Sequence, residues 1–474
     1  MLATAVAAPS HNGGVALALR PLRVELARTP CRTRLPFRFG AVTVTAADLL
    51  TCRVLARAAD GAEAIGWSAD LLVPRWFRKD VERTPAEDAA ALAASAESAA
   101  RAFVDGARDG ETVAAAVQRV FAVRVRAQPE DAPDLLERGF GVALIERALL
   151  DAACRSAGLP FAEALRRDLF GAGAFEARPR ATIAVRHTVG MLDPLRVAEI
   201  APDRRVDDGL PQALEEDVAA YGLRWFKLKI GAGPDADRAR LLALARFFAE
   251  RDLDPALTLD GNEQFADLDA LAELLDSVAA DADGARLLAR VRFVEQPLPR
   301  ARTFDAGAQR GLARVTRFAP LILDEADALP EHFARAAALG WSGVSVKNCK
   351  GVLRALDAAR ACSRSGGRLF QSGEDLTNLP ALALQQDLAT AACLGLEHVE
   401  RNGHHYFRGL DHLPAAAQRA AAAAHPDLYR PLPGGGCGVR IEHGRLRLDS
   451  LLAAPGYAHA LAGHATEFRT VAGA

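Results

Sequence analysis

The segment WFKLKIG (225–231) shows the pattern that decides the fold, a short and mainly apolar run that ends in charged and turn-forming residues. A helical stretch of about 10 to 20 residues follows it, as in parallel βα units. Seven further runs have the same character: ATIAVRH (181–187), ALTLDGN (256–262), VRFVEQP (291–297), PLILDEA (320–326), GVSVKN (343–348), GRLFQSG (367–373) and LEHVE (396–400). Eight strands, most of them separated by helices, predict an α/β fold, a closed (β/α) barrel of the TIM type.

The barrel is expected to be one of two domains, because 474 residues exceed the roughly 250 at which a single core stops growing. Residues 21–79 have the pattern of strands and turns, and Ala-rich amphipathic helices follow from Thr84 to about Leu165, which indicates an α+β domain. We therefore expect an N-terminal tail (1–20), an α+β domain (21–175), the barrel with the active site (176–410) and a C-terminal segment that packs back on the α+β domain (411–474).

The composition argues against macromolecular partners. With 58 Lys+Arg against 60 Asp+Glu the net charge is −2, which gives no basic field for nucleic acid or an anionic membrane. No run reaches the roughly 18 apolar residues of a membrane span, and no basic region precedes the apolar N-terminus. The seven cysteines lack the spacings of a zinc site or a disulfide framework. We expect a cytoplasmic protein that acts on a small molecule; assembly into a homo-oligomer is left open.

Two lysines alternate with Leu228 in WFKLKIG (225–231). The two-residue period of a strand points the amines of Lys227 and Lys229 the same way, into the barrel mouth. Their mutual repulsion, together with partial burial, is expected to lower an ammonium pKa and leave one lysine a usable base. A solvated lysine pair at a strand end is the alternative.

Three carboxylates end successive strands. Asp260 and Glu295 are 35 residues apart, and Asp324 follows 29 residues later, each interval fitting one βα unit. Three anions converging at the mouth would repel one another unless a cation lay between them, and all-oxygen ligation favours magnesium. A single acid at a strand end is more often a loop or helix-cap residue, but three in succession predict a metal site.

Lys347 ends the next strand, 23 residues after Asp324, and falls across the barrel from Lys229. A carboxylate substrate on the metal would have its α-carbon between these amines, so that either face could lose or gain a proton. That proton is weakly acidic, and the doubly charged enediolate that its removal creates needs a cation. Without the other residues, Lys347 would equally fit a surface lysine.

The five motifs WFKLK, LTLDGN, FVEQPL, LILDEA and VSVKNCKG, in this order, resemble the mandelate racemase/muconate lactonizing enzyme family of the enolase superfamily, and the two-lysine pattern resembles its muconate-lactonizing branch. LPFRFG (35–40) and ALIERALLDAACRSAGLPFAEAL (143–165) resemble that family's capping domain. The resemblance implies that Mg²⁺, or Mn²⁺, binds to Asp260, Glu295 and Asp324. It also implies that Lys229 and Lys347 are the acid/base pair and that Lys227 tunes Lys229, with Lys350 a less favoured alternative to Lys347.

Other positions match the family's specificity region less closely. The candidates for substrate binding are Asn262, Glu325, Glu374, Glu400, Arg401, His404 and Phe37. The Asp-x-Asp pair of dipeptide epimerases is replaced by Glu397-His398-Val399-Glu400, which disfavours that substrate class. The His-Asp dyad of mandelate racemase is absent where Lys347 stands, which disfavours that reaction.

The predicted function is Mg-dependent abstraction of the α-proton of a carboxylate substrate through an enediolate, with racemisation or epimerisation favoured. A cycloisomerase and a dehydratase working by syn-elimination can use the same residues, so both stay open. Two alternatives belong to other classes: a Schiff-base lyase that uses a strand-end lysine, and a barrel protein without catalysis.

Overall fold

A computed structural model describes residues 16–39, 42–80, 82–458 and 467–473. Most of the expected N-terminal tail (1–20) lies outside the described residues. The strands are β1 (Leu19–Phe39), β2 (Val42–Ala58), β3 (Glu63–Leu71), β4 (Thr182–Val189), β5 (Trp225–Lys229), β6 (Ala256–Asp260), β7 (Val291–Glu295), β8 (Leu321–Leu323), β9 (Gly343–Val346), β10 (Phe370–Gly373), β11 (His398–Arg401), β12 (Tyr429–Pro431), β13 (Cys437–Val439), β14 (Arg445–Arg447) and β15 (Arg469–Ala472).

The α-helices alternate with the strands through most of the chain. They are α1 (Pro85–Asp105), α2 (Val113–Phe121), α3 (Leu135–Ala157), α4 (Phe161–Arg166), α5 (Leu214–Tyr221), α6 (Pro234–Glu250), α7 (Leu268–Ala279), α8 (Ala282–Leu288), α9 (Leu312–Val315), α10 (His332–Ala338), α11 (Val352–Arg364), α12 (Leu382–Cys393), α13 (Gly403–Tyr406), α14 (Ala415–Ala424) and α15 (Asp449–Ala453). None of the helices within the described ranges is long and apolar enough to cross a membrane.

The N-terminal domain is an antiparallel sheet in the order β15-β1-β2-β3, on which α1 and α3 pack. Helix α1 begins at a capping box, in which Thr84 accepts from the backbone N–H of Glu87 and the Glu87 side chain accepts from the backbone N–H of Thr84. Gly66 lets α3 approach β3 closely, because a Cβ there would lie 1.9 Å from the carbonyl oxygen of Ala148. The expected α+β architecture is confirmed.

The second domain is the predicted barrel. Strands β4 to β11 are parallel neighbours in chain order, and β11 pairs with β4, which closes the sheet. The register sets Lys229 beside Asp260 and Asp260 beside Glu295. Alternate apolar residues such as Leu228 and Leu259 join the core between strands and helices, so the intervening polar side chains face the barrel axis.

The C-terminal segment divides between the two domains. Leu428, Tyr429, Ile441 and Leu446 pack in the barrel's core, and β14 pairs antiparallel with β4. The N-terminal domain receives β15, which pairs with β1, and Tyr457, which joins that domain's core and donates its backbone N–H to Asp151. The structure therefore differs from the expectation that all of 411–474 returns to the α+β domain. The reason is that its apolar residues cover the barrel core beside β4.

Candidate active site

Lys227 lies at the centre of a group of carboxylates in the barrel mouth. It and Lys229 both face the barrel axis from β5, as the strand period predicts. The Lys227 side chain is 1% exposed. Its Nζ has four carboxylate contacts, at 2.9 Å from Asp260 Oδ2, 2.7 Å from Glu295 Oε2, 2.9 Å from Glu374 Oε2 and 3.0 Å from Glu400 Oε2.

The other two lysines approach from opposite sides. The Nζ of Lys229 donates to Asp260 Oδ2 at 2.6 Å and to Asn262 Oδ1 at 2.8 Å. The Nζ of Lys347 donates to Asp324 Oδ2 at 2.5 Å. Because β5 and β9 lie four positions apart in an eight-stranded barrel, these amines face each other across the mouth.

The whole chain contains only five lysines, and four of them stand at the ends of β5 and β9. The fourth, Lys350, donates to Ser345 Oγ at 2.7 Å and lies 3.5 Å from Asp324 Oδ1. The remaining one, Lys79, pairs with Glu263. Surface cations are otherwise arginines, so the scarcity of lysine was a sequence signal for this site that motif reasoning did not use.

The expected lowering of an ammonium pKa by repulsion between Lys227 and Lys229 is wrong for Lys227. Although burial opposes the charge, Asp260 and Glu295 raise the pKa of Lys227 well above its ordinary value. Burial likewise opposes the charge of Lys347, yet Asp324 raises the pKa of that ammonium. Attraction to carboxylates in contact outweighs repulsion between the amines.

Glu295 has the least favourable surroundings of the three predicted metal ligands. Among the described residues neither carboxylate oxygen has a hydrogen-bond partner, although Oε2 contacts the Lys227 ammonium. Burial, together with Asp260 and Glu374, raises the pKa of Glu295 well above its ordinary value. A divalent cation between the ends of β6, β7 and β8 would supply the missing partner. The three carboxylates therefore fit a hard, oxygen-liganded ion.

Two further carboxylates complete the mouth, and each is held by β4. Arg186 pairs with Glu374, and it also donates to Ser372 Oγ at 2.9 Å. Thr188 Oγ1 donates to Glu400 Oε1 at 2.6 Å. Sequence reasoning missed Arg186, although a charged residue within the apolar run ATIAVRH is the signal that would have found it.

The N-terminal domain closes the cavity over the lysines. Phe37, Val73 and Trp76 line it together with all three site lysines, Asn262 and Glu400. The ammonium of Lys347 lies 4.5 Å from the Trp76 ring centroid, a cation–π contact. Trp76 was not among the predicted residues, because it lies outside the regularly spaced strands of the barrel.

Four predicted substrate-binding residues do not line this cavity, and one of them, Glu374, contacts the Lys227 ammonium instead. Glu325 lines a separate cavity, where burial raises its pKa to about 7. Arg401 pairs with Asp375 at 3.1 Å and thereby holds the segment after β10. His404 Nε2 lies 3.1 Å from His187 Nδ1, outside the barrel. The positions of Glu325, Arg401 and His404 therefore do not suggest direct contact with a substrate in the lysine cavity.

Comparison with known proteins places this site in a family. Residues 210–443 match the family described as "Enolase C-terminal domain-like". This part of the chain is an enolase C-terminal domain-like barrel. Matching residues 210–443 include the strand-end lysines and the three carboxylates that motif reasoning singled out.

Individual proteins match this chain at low sequence identity. The chain is 27% identical over 278 residues to a hydrophobic dipeptide epimerase from Citrifermentans bemidjiense, covering 58% of this chain and 66% of the relative, so slightly less than two thirds of that relative is matched. A dipeptide epimerase from Cytophaga hutchinsonii, complexed with Mg and the dipeptide D-Ala-L-Val, has a TM-score of 0.60 at 14% identity, over 95% of this chain and 99% of its own. A muconate lactonizing enzyme from Pseudomonas fluorescens, complexed with muconolactone, has a TM-score of 0.58 at 18% identity, over 94% and 96%.

Proposed function

We propose that the protein is an enzyme that removes and returns the proton on the carbon beside a substrate carboxylate, and that the reaction is racemisation or epimerisation. The observation that supports this most directly is the placement of Lys229 and Lys347 on opposite sides of one cavity. A carbon held between two amines can lose its proton to one and receive a proton from the other, which inverts its configuration.

Asp260, Glu295 and Asp324 would hold the metal ion, Mg²⁺ or the chemically similar Mn²⁺. When bound, the ion supplies positive charge against the negative charge that builds up on the substrate carboxylate. The fit rests on the oxygen-only ligand set and on the unpartnered oxygens of Glu295.

The lysines' own partners set which amine can accept a proton. Asp324, once its charge is offset by a cation, no longer raises the pKa of Lys347 to the same extent. Asp260, which accepts from Lys229 at 2.6 Å, would hold that amine less strongly once a cation offsets its charge. Lys227 stays within its four carboxylates and keeps Asp260 and Glu295 oriented. Phe37 and Trp76 keep water from the cavity, which strengthens these electrostatic interactions.

A cycloisomerase or a dehydratase is the runner-up, because one lysine can act as the base while the other stays charged and stabilises the product side. The structural likeness to the muconate lactonizing enzyme supports this option. The Schiff-base lyase has less support, since Lys227, Lys229 and Lys347 all lie within 3.0 Å of carboxylates that disfavour a neutral amine.

The test is α-proton exchange in deuterated water, followed by NMR with Mg²⁺ present, across dipeptides, acylated amino acids, sugar acids and lactones. We expect exchange with inversion on at least one substrate, and a loss of about 10³-fold or more in Lys229→Arg and Lys347→Arg. These variants keep the charge that the carboxylates need, so folding is a smaller concern than with alanine. Full exchange in both variants would contradict the two-lysine mechanism, and a borohydride-trapped adduct with a carbonyl substrate would support the lyase.

A further inference from the structure

A second buried polar cluster lies outside the barrel and has no part in the proposed reaction. It is formed by His187 of β4, Asp217 of α5, and His404 and His405 of α13. Neighbouring side chains of a strand point to opposite faces, so His187 faces α5 while Arg186 faces the barrel axis. The cluster therefore shares a strand with the active site but not its cavity.

The contacts within this imidazole cluster are short. His187 Nδ1 is 3.1 Å from His404 Nε2, and His187 Nε2 is 3.8 Å from Asp217 Oδ2. His405 Nδ1 lies 2.9 Å from the same Asp217 oxygen. One candidate ligand atom from each of His187, Asp217 and His404 can be chosen so that all lie within 4.8 Å of one another.

Several polar atoms here have no hydrogen-bond partner within the described part of the chain. They are Oδ1 of Asp217, Nδ1 of His404 and Nε2 of His405. The side chains of Asp217 and His405 are each 1% exposed. Buried polar groups are almost always satisfied. Asp217 has a close contact from His405 Nδ1 to Oδ2, so its other oxygen and the open nitrogen of His404 leave room for a further partner of positive charge.

The guanidinium of Arg34 does not supply that partner. Arg34 reaches the region from the N-terminal domain, but its Nε donates to Asp208 at 2.5 Å, and another of its guanidinium nitrogens donates to the backbone oxygen of His405 at 2.8 Å. Its charge is thus directed to Asp208 rather than to Asp217.

We propose that His187, Asp217 and His404 bind a divalent transition-metal ion, for which zinc is the best chemical match, with His405 positioned to orient Asp217. Imidazole nitrogens with one carboxylate are a typical zinc ligand set, whereas magnesium prefers oxygen alone. A ligand carboxylate is commonly held by a hydrogen bond from outside the coordination shell, the role that His405 Nδ1 can fill.

The candidate ligand atoms are close enough for tetrahedral coordination after side-chain rotation. Bonds of about 2.0–2.1 Å to a tetrahedral zinc separate its ligands by about 3.3 Å. One imidazole binds the ion through one nitrogen, and with one ligand atom taken from each of His187, Asp217 and His404 the three atoms lie within 4.8 Å of one another. His404 also lines a cavity with Tyr221 and Leu210.

Occupancy would matter for the active site through the chain after β11. Asn402 lines the lysine cavity and lies two residues before His404. An ion that joins β4, α5 and α13 would therefore restrain one wall of the substrate cavity. This inference does not depend on the proposed reaction, since ion binding can be measured without a substrate.

The experiment uses tag-free, chelator-treated protein titrated with Zn²⁺ while excess Mg²⁺ occupies oxygen-only sites. Bound metal is counted by mass spectrometry, and affinity is measured by calorimetry. We expect one zinc per chain, with affinity lowered at least about 100-fold in His187→Ala and His404→Gln. His443→Asn, at an exposed histidine, is the matched control and should bind as the unmodified protein does.

Two further readouts separate this cluster from the carboxylates in the barrel. Asp260→Asn should leave the zinc affinity unchanged, and bound Co²⁺ should show the intense visible absorption of a tetrahedral, imidazole-ligated ion. The proposal is overturned if no zinc binds, if the histidine variants bind it equally well, or if Asp260→Asn alone loses it. Cooperative thermal unfolding of each metal-free variant checks that a lost site does not reflect a lost fold.

Discussion

Arg186 and His187 are adjacent on β4, yet they belong to two opposite kinds of buried polar cluster. Arg186 faces the barrel axis, where carboxylates and amines are in direct contact. His187 faces outward, where two further imidazoles surround one carboxylate. The inner cluster offers oxygen ligands and permanent charges. The outer cluster offers nitrogens of His187 and His404 that are neutral at neutral pH, because burial lowers the pKa of His187 to about 4 and the pKa of His404 well below its ordinary value.

The difference teaches how one strand can serve two chemistries. Permanent charges in the interior must be paired, because a lone buried charge is very costly, so the inner cluster is a dense network of ion pairs. Neutral imidazoles can be buried at lower cost and can leave a ring nitrogen available. The inner cluster therefore suits a hard ion and proton transfer, and the outer one suits a softer ion.

The largest effect on stability should come from substituting Arg186 and His187 of β4 one at a time. Arg186→Met leaves Glu374 without its guanidinium partner and should lower the free energy of unfolding by about 3–5 kcal/mol. His187→Leu removes a neutral ring and should cost about 1–2 kcal/mol. Denaturant titration with chelator present measures both. Equal costs would show that the clusters do not differ in charge as described.

A somewhat smaller effect on the free energy of unfolding is expected from a buried carboxyl group that belongs to neither cluster. Glu146 of α3 accepts from the backbone N–H of Leu353, near the start of α11, at 2.7 Å, and burial raises the pKa of Glu146 to about 7. The folded state thus holds a proton that the unfolded state releases near pH 4.5. Stability from this group is present below pH 4.5 and is lost as the pH rises through about 7, by about 3 kcal/mol in total.

The check on Glu146 is the pH dependence of unfolding in Glu146→Gln. This variant should gain stability relative to the unmodified protein between pH 5 and pH 8, on the order of the loss just given. Glu273→Gln, at an exposed position of α7, serves as the control. Parallel pH profiles for Glu146→Gln and the unmodified protein would contradict the raised pKa.

The smallest effect concerns selectivity between the clusters. Glu295→Gln should weaken Mg²⁺ binding about 100-fold, because it removes a charged oxygen ligand, and should leave zinc binding at the imidazole cluster unchanged. Calorimetric titration with each ion measures this, with Glu397→Gln, exposed before β11, as the matched control. Unchanged Mg²⁺ affinity would place the magnesium elsewhere.

Much of the fold followed from local pattern. The eight barrel strands, the antiparallel N-terminal sheet and the helices between 84 and 165 were all predicted, because strand and helix periods are visible within a few residues. The pairing of β14 with β4 was not, since nothing near Arg445–Arg447 specifies which strand edge is available. Nor did the alternation of Lys227 and Lys229 reveal that carboxylates on other strands would contact both amines.

The sequence by itself determined the barrel and the convergence of its strand-end lysines and carboxylates. It could do so because a closed barrel brings the end of every strand to one mouth, so regular spacing along the chain becomes proximity in space. Only the tertiary structure decided that Trp76 lies against Lys347, that Arg186 holds Glu374, and that His187, Asp217 and His404 meet. These contacts join residues whose separation in the chain follows no period, so their proximity depends on how domains and helices pack.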